Sequence, residues 1–411
     1  MPIIGDGPFL ENGRCVIKYT GIEPGTYKIV GSLEGKEDFE RDVTIVLGQE
    51  KVVEVIPGTI DGGSPGDGGG DPPDDTTFKT QTYSIDSTEC VSVGWIRKQG
   101  RFLGVGTLNT VEVIDTVIGR RRINNRSGHT DDIVYISTDK YEDQDVEEVS
   151  ADRAIHIPMI SIGEDGKRRL YEEIRTSSGR PPNIRRFNVY REKFSQTPVS
   201  TMFNPIQCTH VCFDRNMSDI KNAITNIGMR GVVQIFRSET LLNNISISTN
   251  GTIVTAIKFN KLGERLVLGD QDGNVMYYDT DEIRNPSPRA NRRLFSEKIH
   301  TRSITDIDIA ENRIASGSVD NTIAILDLSG TLLRRITSHR TNVSCVSLSP
   351  DGSMVVSGDS DGNVIVHNTS NGNEIYRYTG HNAYVRGVDW APDGKKIASC
   401  DSDSGVHVWF F

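Results

Sequence analysis

Short runs in which apolar and polar residues alternate fill most of the chain, and Gly, Pro, Asp and Asn punctuate them. Alternation with period two marks a half-buried β-strand, so an all-β fold is expected. The stretch "SPDGSMVVSGDSDGNVIVHN" (349–368) sets a polar turn, an apolar strand, an acidic tight turn and a second apolar strand in succession. The layout returns in "NKLGERLVLGDQDGNVMYYD" (260–279), "ENRIASGSVDNTIAILD" (311–327) and "APDGKKIASCDSDSGVHVWF" (391–410). Matching positions lie about 39 to 50 residues apart, the length of a four-stranded propeller blade.

Weaker copies precede these four. "GHTDDIVYIS" followed by "ISIGEDGKRRLY" is one, split by an insertion. Residues 204–236, ending "RGVVQIF", form a degenerate one, and "ECVSVGW" with "LGVGTLNTVEVID" makes the first. Seven units then fill residues 78–411. "TQTYSIDSTECVSVGW" (80–95) also aligns without gaps on "IYRYTGHNAYVRGVDW" (375–390), yet the chain stops after the third strand of its last unit. Residues 78–85 are therefore expected to supply the missing outer strand and close the ring, which removes an exposed sheet edge.

The alternating pattern also fills residues 1–57, in "CVIKYTG", "GTYKIVGSL", "RDVTIVLG" and "KVVEVIPG". Between the two regions, "GTIDGGSPGDGGGDPPDDTT" (58–77) has nothing to bury and reads as an acidic linker. The stretch "IEPGTYKIVGSLEGKEDFERDVTIVLGQEKVVEVI" resembles the small β-sandwich modules of the PEGA and carboxypeptidase-regulatory kind. That resemblance implies a non-catalytic attachment or spacer module.

From residue 78 onward the chain resembles the WD-repeat β-propeller family. That family places a His before the first strand of each blade, a Ser or Thr in the second, an Asp in the next turn and a Trp ending the third. The last unit matches at His381, Ser399, Asp403 and Trp409. The one before has His339, Ser357 and Asp361, with His367 in place of Trp, and the preceding one has His300, Ser316 and Asp320, with Leu326 there. An earlier copy keeps only Asp272, beside Asn250, Leu268 and Tyr278; the split copy has His129, Ser161, Asp165 and Tyr171; and Asp86 stands in the His position of the first. The resemblance implies a seven-bladed propeller in which these groups form a buried hydrogen-bond chain within each blade.

Composition narrows the function classes. A net charge of −10 and a sequence pI near 5.4 argue against general nucleic-acid binding. No apolar run approaches the ~18 residues of a membrane helix. "MPIIGDGPFLENG" lacks a basic segment followed by an apolar core, so a secretory signal is not expected. Six cysteines scattered over 411 residues do not suggest a disulfide framework.

Each candidate for chemistry has a plainer reading. "GDSDGN" fails the calcium-loop template, because position six from Asp359 is Val364 and position six from Asp270 is Val275. A tight hairpin turn, with Gly362 or Gly273 in the left-handed conformation and Asp361 or Asp272 bonding locally, fits better. Ser, His and Asp recur together, but repetition in several units is itself evidence against a hydrolase triad, which needs one constellation. In "CTHVC", Cys208, His210 and Cys212 would share one strand face, yet the usual zinc spacing and a fourth ligand are missing. The basic stretches "GRRRINNR" (119–126) and "RRF" (185–187) come without a base-stacking platform and read as solvated loops. No phosphate loop appears, and no metal or cofactor is expected.

The expected function is a non-catalytic scaffold that presents propeller loops to protein partners, other copies of the chain included. No small-molecule substrate is identified. The alternative is a structural subunit of a multi-copy assembly (filament, surface layer or virion), attached through its N-terminal module. A propeller enzyme would need acidic or His residues converging on the central channel, and the sequence identifies none. The longest insertions, 139–152, 172–184 and 281–291, fall between first and second or third and fourth strands. Glu142, Asp143 and Glu147 lie in the first, with Arg180, Arg185, Arg289 and Arg292 in or just after the others. Long loops on a rigid scaffold are where binding concentrates.

Overall fold

The computed structural model divides into two compact units, residues 1–76 and 77–411. It describes residues 6–11, 14–18, 25–31 and 39–45 of the first. Of the second it describes 79–85, 89–96, 100–116, 120–126, 131–138, 155–165, 167–178, 185–196, 205–212, 220–226, 230, 232–237, 240–246, 252–280 and 292–410.

In the first unit β1 (Asp6–Glu11) pairs with β2 (Arg14–Lys18), and β3 (Gly25–Gly31) pairs with β4 (Phe39–Ile45). Strands β2, β3 and β4 overlap three of the runs named from the sequence, while β1 is not foreseen by the pattern. The fourth run, 51–58, and most of the linker lie outside the described residues. The two hairpins are separate two-stranded sheets, so the sandwich remains an expectation that reaches beyond the described strands.

The second unit is seven four-stranded antiparallel sheets. Blade 1 is β6 (Cys90–Ile96), β7 (Phe102–Thr107), β8 (Thr110–Asp115) and β9 (Arg120–Arg126). Blade 2 is β10 (Ile133–Thr138), β11 (Ile155–Gly163), β12 (Arg168–Ser178) and β13 (Arg185–Gln196). Blade 3 is β14 (Pro205–Cys212), β15 (Ile220–Asn226), β16 (Val232–Arg237) and β17 (Thr240–Ser246), so the degenerate stretch is a complete sheet. Blade 4 is β18 (Val254–Phe259), β19 (Arg265–Asp270), β20 (Asn274–Asp279) and β21 (Arg292–Lys298). Blade 5 is β22 (Ile304–Ala310), β23 (Arg313–Ser318), β24 (Ile323–Asp327) and β25 (Leu332–Ile336). Blade 6 is β26 (Val343–Leu348), β27 (Met354–Asp359), β28 (Val364–Asn368) and β29 (Glu374–Tyr378). Blade 7 takes β30 (Val385–Trp390), β31 (Lys396–Asp401) and β32 (Gly405–Phe410) from the end of the chain, and its fourth strand is β5 (Lys79–Ser84).

Strand β5 pairs along β32 from Phe410↔Lys79 to Gly405↔Ser84. The first strands of successive blades touch in order, and β30 touches β6, so the ring is closed. Two sequence readings need correction here. "GRRRINNR" and "RRF" are not loops, because they form β9 and the start of β13, the outermost strands of blades 1 and 2. Of the second insertion, residues 172–178 continue β12 in register with β13; Arg185 and Arg292 open strands β13 and β21 rather than lying in loops. Long strand extensions with unusual charge look like loop insertions when only repeat length is compared.

Neighbouring blades are packed by small-to-large contacts. A Cβ on Gly269, Gly317 or Gly358 would stand 2.5 to 2.7 Å from the methyls of Ile304, Val343 or Val385, the first residue of the next blade. Only glycine fits there, since real contacts do not close that far. Blade 7 has Cys400 at that position, and blade 1 answers with Cys90 in place of a branched residue; both are fully buried. Deleting residues 78–85 strips β32 of its partner and opens the ring. We expect the propeller's melting temperature to fall by more than about 10 °C and cooperativity to be lost, whereas deleting residues 1–70 leaves it nearly unchanged. Equal shifts for the two truncations in a calorimetric scan would contradict this closure.

Candidate functional site

The recurring polar residues of the last three blades sit where each second strand meets the segment before the first. His300 Nε2 is 2.8 Å from Ser316 Oγ, His339 Nε2 is 2.8 Å from Ser357 Oγ, and His381 Nε2 is 2.5 Å from Ser399 Oγ. The opposite ring nitrogen faces a carboxylate in each case. In blade 5 that group is Asp320, with Nδ1 3.1 Å from Oδ2. In blades 6 and 7 it is Asp359 and Asp401, both at 2.8 Å. The sequence-derived assignments Asp361 and Asp403 are therefore corrected by two residues. Both only donate their backbone N–H, at 2.9 and 3.0 Å, to the carboxylate two positions earlier.

The cause lies in the end of the second strand. Blade 5 has Ser318 there, too short to reach His300, so the turn's Asp320 makes the bond. Where that position is Asp, its carboxylate reaches the His and also ties the turn. Asp359 Oδ1 accepts from Asp361 N and Asn363 N, both at 2.9 Å. Asp270 does the same in blade 4 for Asp272 N (3.0 Å) and Asn274 N (2.8 Å). Gly273 and Gly362 take φ +84° in these turns, so the hairpin reading of "GDSDGN" describes the geometry.

The aromatic end of the chain differs from the family pattern too. Trp409 is 1% exposed, but its Nε1 has no hydrogen-bond partner among the described residues. His367 binds Ser338 Oγ (2.6 Å) rather than Ser357. In blade 2 the Tyr171 hydroxyl lies 3.0 Å from Ser161 Oγ, so Tyr substitutes for Trp there. Asp165 Oδ1 accepts from Lys167 N at 3.0 Å. His129, Glu142, Asp143, Glu147, Arg180 and Arg289 lie outside the described residues, as does the side chain of Arg185. Arg292 is exposed.

Sequence reading found no acidic set at the channel, but the structure brings one there. Asp306, Asp389 and Lys258 line a cavity of about 30 Å³ with Tyr135 and Ser347, room for a single water. Burial raises the Asp306 carboxyl to about 6, against the hydrogen bonds from Val346 N–H and Gln207. These carboxylates are occupied by the next blade. Asp306 accepts from Val346 N (3.0 Å), Asp308 from Leu348 N (2.9 Å) and Asp389 from Trp95 N (2.7 Å). Gln207, Thr209 and Ser347 serve Ile257 N, Phe259 N and Trp390 N in the same way, at 2.6 to 3.2 Å. The signal in the sequence was a polar residue at the second, third or fifth position of a first strand, hidden because alternation makes such residues look solvent-facing.

Among the described residues one group could hold a metal ion: ligand atoms of His381, Asp401 and His407 lie within 4.8 Å of one another. Both His381 nitrogens are already hydrogen-bonded, and His407 Nδ1 meets Tyr378 Oη at 2.9 Å. The cluster is thus satisfied without an ion. In "CTHVC", Cys208 is buried and burial pushes its thiol well up, while the side chains of His210 and Cys212 lie outside the described residues.

Two outcomes follow from this geometry. Asp401→Ala strands His381 Nδ1 in the interior and should cost roughly 1–3 kcal/mol, while Asp403→Ala should cost well under ~1 kcal/mol; urea melts that rank them the other way would contradict the reassignment. Burial also lowers His300 and His381, and takes His367 and His407 down to about 4. A histidine with a depressed folded pKa binds fewer protons folded than unfolded, so its stabilisation is full above about 6.5 and drains away toward about 4. Asp306 acts oppositely, since its raised pKa gives stability that is lost as pH rises through about 6. Four histidines outweigh one aspartate, so the melting temperature should fall between pH 6.5 and 4, and His367→Asn with His407→Asn should flatten that slope. A pH-independent melting temperature over this window would refute the assignment.

Comparison with known proteins agrees with the geometry over the end of the chain. No curated protein matches the sequence. The family model described as "WD domain, G-beta repeat" matches residues 330–368 and 372–409, which run from the outer strand of blade 5 through blades 6 and 7. The second unit is thus a closed seven-bladed β-propeller, and over residues 330–368 and 372–409 its sequence is similar to WD repeats.

Proposed function

We propose that the protein is a non-catalytic interaction scaffold whose propeller presents loops to protein partners. Propellers of this kind are commonly interaction scaffolds, and one observation carries the reading here. The residues with catalytic chemistry, His–Ser–Asp in three consecutive blades, are buried and hydrogen-bonded to one another. A triad spent three times over on holding turns to strands leaves none of its three serines, Ser316, Ser357 and Ser399, open to a substrate. The channel carboxylates Asp306, Asp308 and Asp389 are likewise occupied by backbone N–H groups.

The binding face we assign is the one carrying the connections β10–β11, β12–β13 and β20–β21. In an antiparallel four-stranded blade, first-to-second and third-to-fourth connections emerge at the same end. By sequence the first connection holds Glu142, Asp143 and Glu147, and the other two hold Arg180 and Arg289. Opposite charges on one face also suit contact with a second copy, a heterologous pairing that need not close. In this reading the N-terminal unit is a PEGA-like attachment module and residues 58–77 its tether. Replacing Glu142, Asp143 and Glu147 together by Lys should weaken the salt-sensitive association of the full chain with its partner or itself by at least about tenfold, with an unchanged circular dichroism spectrum. Undiminished association across a salt titration, followed by sedimentation velocity, would remove this face.

A further inference from the structure

Charge in the propeller is sorted by strand position. The outermost strands β5, β9, β13, β17, β21, β25 and β29 carry 15 Lys and Arg against three Glu. The innermost strands carry two cations, Lys258 and Arg386, against three aspartates. Residues 1–76 hold 15 acidic and six basic residues, so nearly all of the net −10 lies outside the propeller. The acidic whole-chain balance conceals cationic strands on the propeller's outside.

Blades 4 and 5 show what these strands present. Arg292 and Arg293 on β21, and Arg334 and Arg335 on β25, are exposed. Arg334 donates to Ser370 O (2.6 Å) and Arg335 to Ile299 O (2.5 Å), so neutral carbonyls of adjoining segments fix both guanidinium groups without cancelling their charge. On blade 6, by contrast, Glu374 neutralises Arg377 at 2.6 Å. Beside the four arginines lie Leu294, Leu332 and Leu333, exposed at 40%, 41% and 38%.

Among the described residues no further strand pairs with the outer edges of β21 and β25, so their outward N–H and C=O groups form an edge to which another strand can pair. Arginines along it repel the equally basic edge of another copy. Consecutive arginines stand on opposite faces of their strand, so an extended segment with Asp or Glu at two successive positions sets one carboxylate on each face, where it meets a guanidinium group across the new pairing. The leucines choose between polyanions: a peptide strand can cover them with its own apolar side chains, whereas a phosphodiester backbone would leave them bare. We infer that the edges of β21 and β25 each bind, as an added fifth strand, an extended peptide segment in which pairs of acidic and pairs of apolar residues succeed one another. The site is separate from the loop face and does not depend on it.

Fluorescence anisotropy with the full-length protein tests this, using a labelled peptide of about twelve residues that repeats Val-Val-Glu-Glu. A Lys–Val peptide of equal length, a single-stranded DNA oligomer and vesicles rich in anionic lipid serve as competing probes. The Glu–Val peptide should bind at about 50 mM salt and weaken by at least tenfold at about 500 mM. Arg292→Ser with Arg293→Ser should remove one of the two sites and halve the peptide bound at saturation. Arg334→Ser with Arg335→Ser should do the same, and the β21 pair keeps the test valid if the β25 pair loosens the fold. Hydrogen exchange should slow across 292–298 and 332–336 when the peptide is bound. Absence of binding, equal binding by the arginine variants, protection elsewhere, or tighter binding of DNA or vesicles would each overturn the inference.

Discussion

The first strand of every blade is a sheet edge that is buried, and its outward backbone groups find no ladder partner within their own blade. An unpaired buried N–H costs about 1–3 kcal/mol, and the ring would hold a row of them. Side chains of the preceding blade supply the partners. Gln207, Thr209, Asp306, Asp308, Ser347 and Asp389 accept from six such N–H groups. Hydroxyls meet the carbonyls: Thr255, Thr305 and Ser344 donate to Ile304, Val343 and Val385 O, each at 2.6 Å. The blades are thus joined at the channel by polar contacts and, farther out, by branched side chains lying over glycines.

Much else follows from that joint. Because carboxylates at the channel are taken up by backbone donors, the channel wall is a polar seam between blades. Because inner edges are satisfied by the neighbouring blade, the edges left without a strand partner among the described residues are the outer ones, and that is where the arginines stand. The His–Ser–Asp groups work one layer out, fixing the turn after the second strand to the segment entering the blade. Strand β5 performs the same service for the ring as a whole, since it gives β32 the neighbour that the end of the chain lacks.

How much of this the sequence carried depends on the kind of interaction. Strand order and blade number were readable from spacing and alternation, down to the pairing of residues 78–85 with the last blade, because these depend on local pattern. The paired His and Ser positions of blades 5, 6 and 7 were readable for the same reason. The carboxylates were not: "GDSDGN" and "CDSDSG" each offer two aspartates, and which one reaches the histidine depends on side-chain length at the strand end, where Asp359 and Ser318 differ. Gln207, Asp306 and Asp389 stayed hidden because a contact between blades has no signature within one repeat. Arg120, Arg185 and Arg292 were mistaken for loop residues, since strand length varies more between blades than the spacing of their turns.

Native-state hydrogen exchange at the amides of Trp95, Val346, Leu348 and Trp390 probes the polar seam most directly. These N–H groups point at side chains of the neighbouring blade, so ordinary strand pairing does not account for their protection. They should exchange as slowly as the best-protected ladder amides of β27 and β31, and the Leu348 amide should lose that protection in Asp308→Ala while β27 keeps its own. Rapid exchange at all four in the unaltered protein would contradict a propeller held together by its inner polar contacts.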